Sequence, residues 1–179
     1  MYCPMCEKNH TCTIDQALKS LASTGRRLEK LASGLSPRRA AARPAPDKWS
    51  AKEIICHLAD CEIMIGLRYR KIISEPGGPL VAYDQDAWAQ HLNYRQQSLP
   101  QAIATFKVLR NGHIAILKAL AKSAWNRTGQ HPVYGALTLR QLVVHIADHD
   151  KNHVAQVERL LQNQSGALFH SAVLHVPGA

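Results

Sequence analysis

Nowhere in its 179 residues does the sequence hold an uninterrupted apolar stretch approaching the roughly 18 to 20 residues that span a membrane. No basic opening leads into an apolar run either, so the expectation is a cytoplasmic protein without a membrane partner. Internal repeats and low-complexity tracts are missing. Also missing are a Ser-His-Asp nucleophile elbow and a phosphate-cradling glycine loop. The five cysteines are odd in number, which argues against a disulfide framework. A formal net charge of +9 raises the question of an acidic partner. No helix-turn-helix, aromatic RNA-binding signature or basic zipper accompanies it, and the basic residues are spread along the chain apart from Arg38, Arg39 and Arg43. Nucleic acid is therefore not the expected partner; attraction of anionic small molecules is explanation enough.

What the sequence does hold, at 46% hydrophobic content, is enough for one domain with a core. Four helices are predicted. Thr13-Ile-Asp-Gln16 is a capping box ahead of a stripe at Ile14, Leu18, Leu21, Leu28 and Leu31. After a proline- and arginine-rich surface connection over 34–48, Ser50-Ala-Lys-Glu53 opens a second helix, with Trp49 as a staple candidate and an apolar line through Ile54, Leu58, Cys61, Ile65 and Ile72. Glu75-Pro-Gly-Gly-Pro79 stops it. Tyr83 to Trp88 is an aromatic, acidic segment suited either to cover a bundle end or to serve as a crossover loop. Ser98-Leu-Pro-Gln101 starts a third helix with a stripe at Ile103, Phe106, Leu109, His113, Ile116 and Leu120. Turn residues fill 125–137, and Thr138-Leu-Arg-Gln141 caps a fourth helix ending near Gln162. The tail from Gly166 to Ala179 suggests an extended segment or an oligomer contact.

The fourth helix carries the least ordinary pattern, His145, His149 and His153. Residues four apart on a helix lie about 40° and 6 Å from each other, close enough to share an ion, whereas residues eight apart are about 12 Å distant. His149 and His153 continue the stripe Leu139, Leu142, Ile146, Val157 and Leu160, so they are expected at core positions, with His145 beside the stripe. Two neighbouring buried imidazoles need a partner for their polar nitrogens, and a metal ion satisfies both. A third ligand from a facing helix is expected. His57 and His113 both qualify, and spacing does not separate them.

At the start, Cys3, Cys6, His10 and Cys12 place four soft donors within ten residues, a candidate structural zinc knuckle. Unligated thiols and a redox dithiol are the alternatives; the latter lacks the strand-to-helix setting of such motifs.

Pro46-Asp-Lys-Trp49-Ser50, Glu53, His57-Leu-Ala-Asp60, Thr138-Leu139 and His149-Asp-Lys-Asn-His153-Val-Ala-Gln156 together resemble the DinB/YfiT-like superfamily in order and spacing, over about residues 14 to 162. The resemblance implies an all-α, up-down four-helix bundle with a long crossover, placed over 13–163; the Cys-rich segment, 1–12, and the tail, 164–179, lie outside it. It implies a divalent ion, zinc or nickel, held by His57, His149 and His153, and it selects His57 over His113 by analogy. A homodimer is implied in the same way. His145 is an extra imidazole that the family pattern does not demand, a candidate for a supporting position around the metal; Asp150 could orient an imidazole.

Three neutral imidazoles leave an ion its double charge and an open position. The resemblance then implies either S-transfer of a low-molecular-weight thiol to an electrophile or metal-dependent hydrolysis of a small molecule, with a non-catalytic stress-response or sensing bundle as the alternative. A zinc-protease motif is absent, because Asp150 follows His149 and Ile146 follows His145 where that motif has Glu.

Overall fold

A computed structural model describes residues 1–5 and 7–172, excepting the side chains of Lys8 and of 164–172. Two short strands, β1 (Tyr2–Cys3) and β2 (Lys8–Asn9), pair antiparallel ahead of the helices. The long helices are α1 (Ile14–Ala32), α3 (Ala51–Ser74), α5 (Leu99–Lys118) and α6 (Leu139–Ala172), with short helices α2 (Pro37–Ala41) and α4 (Gln85–His91) in the connections.

The capping signals act as the sequence suggests. Gln16 N donates to Thr13 Oγ1 at 3.2 Å and Thr13 N to Gln16 Oε1 at 2.8 Å. The reciprocal pair is also closed at Ser50 and Glu53 and at Thr138 and Gln141. Each box satisfies two backbone donors that the helix itself leaves unpaired.

Helix α1 packs on α5 and α6, and α3 packs on the same two, so α1 and α3 sit on one diagonal of a four-helix bundle and α5 and α6 on the other. Two connections must therefore cross a diagonal. The first runs through α2. The second carries a 3-10 turn (Lys122–Asn126) and a hairpin of β3 (Thr128–His131) and β4 (Gly135–Thr138). The sequence reading of 125–137 as turns missed that hairpin, since its strands are four residues long and carry no clear alternation. It is anchored to the chain after α3: Leu80 N donates to Gln130 O at 2.8 Å and Gln130 N to Gly78 O at 2.9 Å. Gly129 permits the approach, because a Cβ there would lie 2.7 Å from Leu80 Cδ2 and 2.9 Å from Ile72 Cγ1.

The bundle core is divided along its length. One apolar cluster gathers Leu21, Ile65, Ile114 and Leu142, the other Leu28, Leu58, Phe106 and Val154. Between them every long helix contributes buried polar groups: Thr24, Glu62, Arg110, His113 and Asp150, none more than 4% exposed.

Three expectations need correction. The stripe of α5 is rotated: Arg110, Ile114 and Leu117 are buried, while Leu109 and Ile116 are half-buried. On α6 the innermost positions are Asp150 and Val154, and His149 and His153 are half-buried at the edge of the packed face. Finally, α6 runs to Ala172 rather than ending near Gln162. Gly166 is the only breaker before Pro177, and one interior glycine costs a helix only about 1 kcal/mol. Of the tail, 173–179 lie outside the described residues.

Candidate metal centre

His57 comes from the second turn of α3, His149 and His153 from the middle of α6. One ligand atom from each lies within 4.8 Å of the others, and among the described residues this is the single such group of three or more donors. His57 Nε2 and His149 Nε2 are 3.4 Å apart, close to the roughly 3.3 Å between two corners of a tetrahedron with zinc–nitrogen bonds of about 2.0–2.1 Å. His57 is 1% exposed and lies against the Trp49 indole, ring centroids 5.1 Å apart. His153 Nδ1 donates to Gln156 Oε1 at 3.1 Å, a contact that favours the tautomer with the Nε2 lone pair available to an ion.

Burial, and then the neighbouring imidazoles, push His57 down to about 3, and burial pushes His153 down to about 4. Both are neutral at neutral pH, with lone pairs available. Three imidazole nitrogens, one from each ring and all within 4.8 Å of one another, fit a divalent metal ion.

The other candidates are placed elsewhere. His113, the rival third ligand, is buried with Nδ1 3.0 Å from Glu62 Oε2. His145 turns Nδ1 toward Cys3 Sγ at 3.7 Å, away from the ligand group. Asp150 is held by Arg110, whose NH1 donates to Asp150 Oδ2 at 2.6 Å; His149 Nδ1 is 3.8 Å from Asp150 Oδ1, beyond a hydrogen bond. Of the N-terminal donors, Cys3 is buried at the end of β1 and Cys12 Sγ donates to Thr13 O at 3.3 Å; Cys6 lies outside the described residues.

A cavity of about 320 Å³ reaches His149. Its walls include Arg68 from α3, Tyr83 from the segment before α4, His131 and Tyr134 from the hairpin, and Met5 from the N-terminal turn. These residues lie largely in segments without apolar period, where sequence patterns gave them no role; only the aromatic cluster around Tyr83 signalled interest. Cys61 also lines the cavity, but burial pushes its thiol up to about 12, so it is protonated at neutral pH and no nucleophile. A larger hollow near Leu35, Pro37 and Leu99 is lined by none of these histidines.

Comparison with known proteins agrees with this arrangement. The family model described as the DinB superfamily matches residues 20–157. A protein of Oceanobacillus iheyensis named "Putative metal-dependent hydrolase OB0782" is 24% identical over 116 residues, 65% of this chain and 67% of the relative. A Halalkalibacterium halodurans protein named "Putative metal-dependent hydrolase BH0277" is 20% identical over 83% of this chain and 86% of its own length. Among solved structures, YfiT from Bacillus subtilis, described as "a probable metal-dependent hydrolase with an unusual four-helix bundle topology", superposes with a TM-score of 0.81 at 17% identity, covering 88% of this chain and 93% of YfiT. The two diagonal crossings, the three converging histidines and a family match spanning most of the bundle lead to one conclusion: the chain belongs to the DinB superfamily.

Proposed function

We propose that the protein is a divalent-metal-dependent enzyme that uses water or a low-molecular-weight thiol as nucleophile for hydrolysis of, or S-transfer to, a small molecule. The observation that carries this is the cavity ending on His149: the histidine cluster has an accessible side, as a site for chemistry requires and a closed structural site does not. Zinc or nickel, both suited to imidazole donors, when bound there lowers the pKa of a water or thiol and so supplies an anionic nucleophile near neutral pH. The chain's own residues provide the setting. His57, His149 and His153 hold the ion, Gln156 orients His153, and Trp49 covers His57 on its far side. Tyr83, Tyr134 and His131 wall the cavity and limit water around a bound molecule.

One observation favours a non-catalytic, metal-binding stress or sensing bundle instead. Among the described residues the cavity wall contains no carboxylate to act as base, and Asp150 is committed to Arg110. Metal analysis followed by turnover assays separates the two. Wild type should carry metal that His57→Ala and His149→Ala lack, and should conjugate a bacterial thiol to an electrophile or cleave a member of an ester panel. Full metal content in both variants refutes the ligand assignment; metal without turnover favours the sensing bundle.

A structural zinc on the Cys3, Cys6, His10 and Cys12 segment is part of the same proposal. Its support is the burial of Cys3 in a two-stranded turn and the approach of His145 Nδ1 to its sulfur, 3.7 Å. Two metals per wild-type chain, and one in His57→Ala, are expected.

A further inference from the structure

Two arginines of the bundle are nearly sealed from solvent, Arg110 at 4% exposed and Arg68 at 5%. They are treated differently. Arg110 is neutralised by two carboxylates, Glu62 and Asp150. Arg68 has no carboxylate partner among the described residues: its Nε and NH2 both donate to one neutral oxygen, Val81 O, at 3.0 and 2.7 Å, and its Cζ lies 5.9 Å from the Tyr83 ring centroid. A guanidinium has five N–H donors in a planar fork, so these two contacts leave several of them unspent.

A buried charge without a counter-charge is costly and persists where something else requires it. Arg68 lines the cavity that ends on His149, among Tyr83, Tyr134, His131 and Gln85, with no acidic residue in that wall among the described residues. Burial lowers its pKa and no carboxylate opposes the effect, as expected for a cation whose partner arrives from outside.

We propose that Arg68 is the recognition point for a carboxylate on the substrate, held at one end of the cavity while the reacting group faces His149. A carboxylate matches the planar fork in shape and charge and makes the strongest class of neutralising hydrogen bond. The cavity, about 320 Å³, is at the small end of ligand sites, and one guanidinium balances a single negative charge, which a phosphate dianion exceeds. The proposal rests on the enzyme reading above, in that it names the substrate class of that same cavity.

The test follows the Arg68 Nε–H signal of arginine-labelled, zinc-loaded protein during titration with butyrate and with butyramide, its neutral counterpart of like shape. Butyrate should shift the signal saturably and bind at least about 10-fold more tightly than butyramide, the minimum expected of a charge-assisted pair. Arg68→Met should abolish that preference, and Arg68→Lys, which keeps the charge without the fork, should retain part of it. If Arg68→Met does not fold, the wild-type ratio and Arg68→Lys still decide. His153→Ala separates the carboxylate site from the metal. Butyrate binding that survives in this variant supports Arg68 even if no chain holds metal, which would instead overturn the enzyme reading. Equal binding of butyrate and butyramide, an unmoved Arg68 signal, or butyrate binding lost with the metal overturns the proposal while leaving the metal site standing.

Discussion

Arg110→Met is the sharpest test of how the bundle is held together. Arg110 Nε and NH2 donate to Glu62 at 2.8 and 2.6 Å, NH1 donates to Asp150 at 2.6 Å and to Leu21 O at 3.2 Å, and the guanidinium lies 4.6 Å from the Phe106 ring centroid. Methionine keeps much of the apolar stem and removes the charge, leaving two carboxylates, 1% and 2% exposed, without their guanidinium. Breaking a buried ion pair from one side costs about 3–5 kcal/mol. An independent limit agrees: a stranded carboxylate can always be protonated, and doing so at pH 7 from a reference pKa near 4 costs about 4 kcal/mol. For a chain of this length that is a fall in Tm of about 10 °C.

The pH dependence gives the sign. In wild type, burial raises the Asp150 carboxyl but the Arg110 guanidinium outweighs it, holding it below its ordinary value, so the wild-type contribution is full above that ordinary value and fades as pH falls toward the depressed one. In Arg110→Met the stranded carboxylates are raised instead, so acid relieves the variant. Its penalty should shrink to about 1–2 kcal/mol at pH 5. Urea unfolding of both proteins at pH 7 and pH 5 measures this. A penalty below about 1 kcal/mol at pH 7, or one independent of pH, refutes the view of this cluster as a charge-balanced polar layer.

Three further outcomes are expected. Gly66→Ala places a Cβ 2.2 Å from His113 Nε2, a ring pinned by Glu62, and should destabilise by about 1–3 kcal/mol in urea despite alanine's better helix propensity; a stabilised variant would show the ring free to move. Burial raises Glu53 but its bonds to Arg43 and to Ser50 outweigh this and hold it at about 2. It should therefore stabilise fully above its unfolded value near 4.5, by up to about 3 kcal/mol, and lose this between there and about pH 2; Glu53→Gln should abolish that acid slope, and an unchanged slope would sink the assignment. Gln156→Ala removes the acceptor of His153 Nδ1 and should weaken metal affinity by about 10-fold or more in a chelator competition, whereas unaltered affinity would mean that the tautomer is fixed by other means.

The four helices and three capping boxes were legible because both are local: periodicity needs one face to be apolar, and a box needs four consecutive residues. The histidine triad was half legible. The pair on α6 follows from spacing, but spacing does not separate His57 from His113; in space His57 meets His149 while His113 turns to Glu62. Arg110 carries no local signal, because a lone arginine in a helix has the composition of a solvated face; its burial depends on Glu62 and Asp150, 48 and 40 residues away. The cavity was least legible. Arg68 comes from within α3 and Tyr83, His131 and Tyr134 from connections, and no local pattern marks residues whose shared property is what they face.

The buried polar layer and the metal site are physically one problem. Asp150 follows His149 directly in sequence and would be the natural acceptor for its Nδ1, a contact that makes an imidazole a stronger donor and drains charge from the ion it binds. Arg110 prevents this by holding Asp150 on the other side of α6, leaving 3.8 Å to His149. An ion held by these imidazoles without a carboxylate on His149 Nδ1 would keep more of its double charge for whatever occupies the cavity side. On the same logic, the stability supplied by the Glu62–Arg110–Asp150 cluster and the acidity available at the metal site share a cause. Replacing Arg110 perturbs both, through one freed carboxylate beside a ligand.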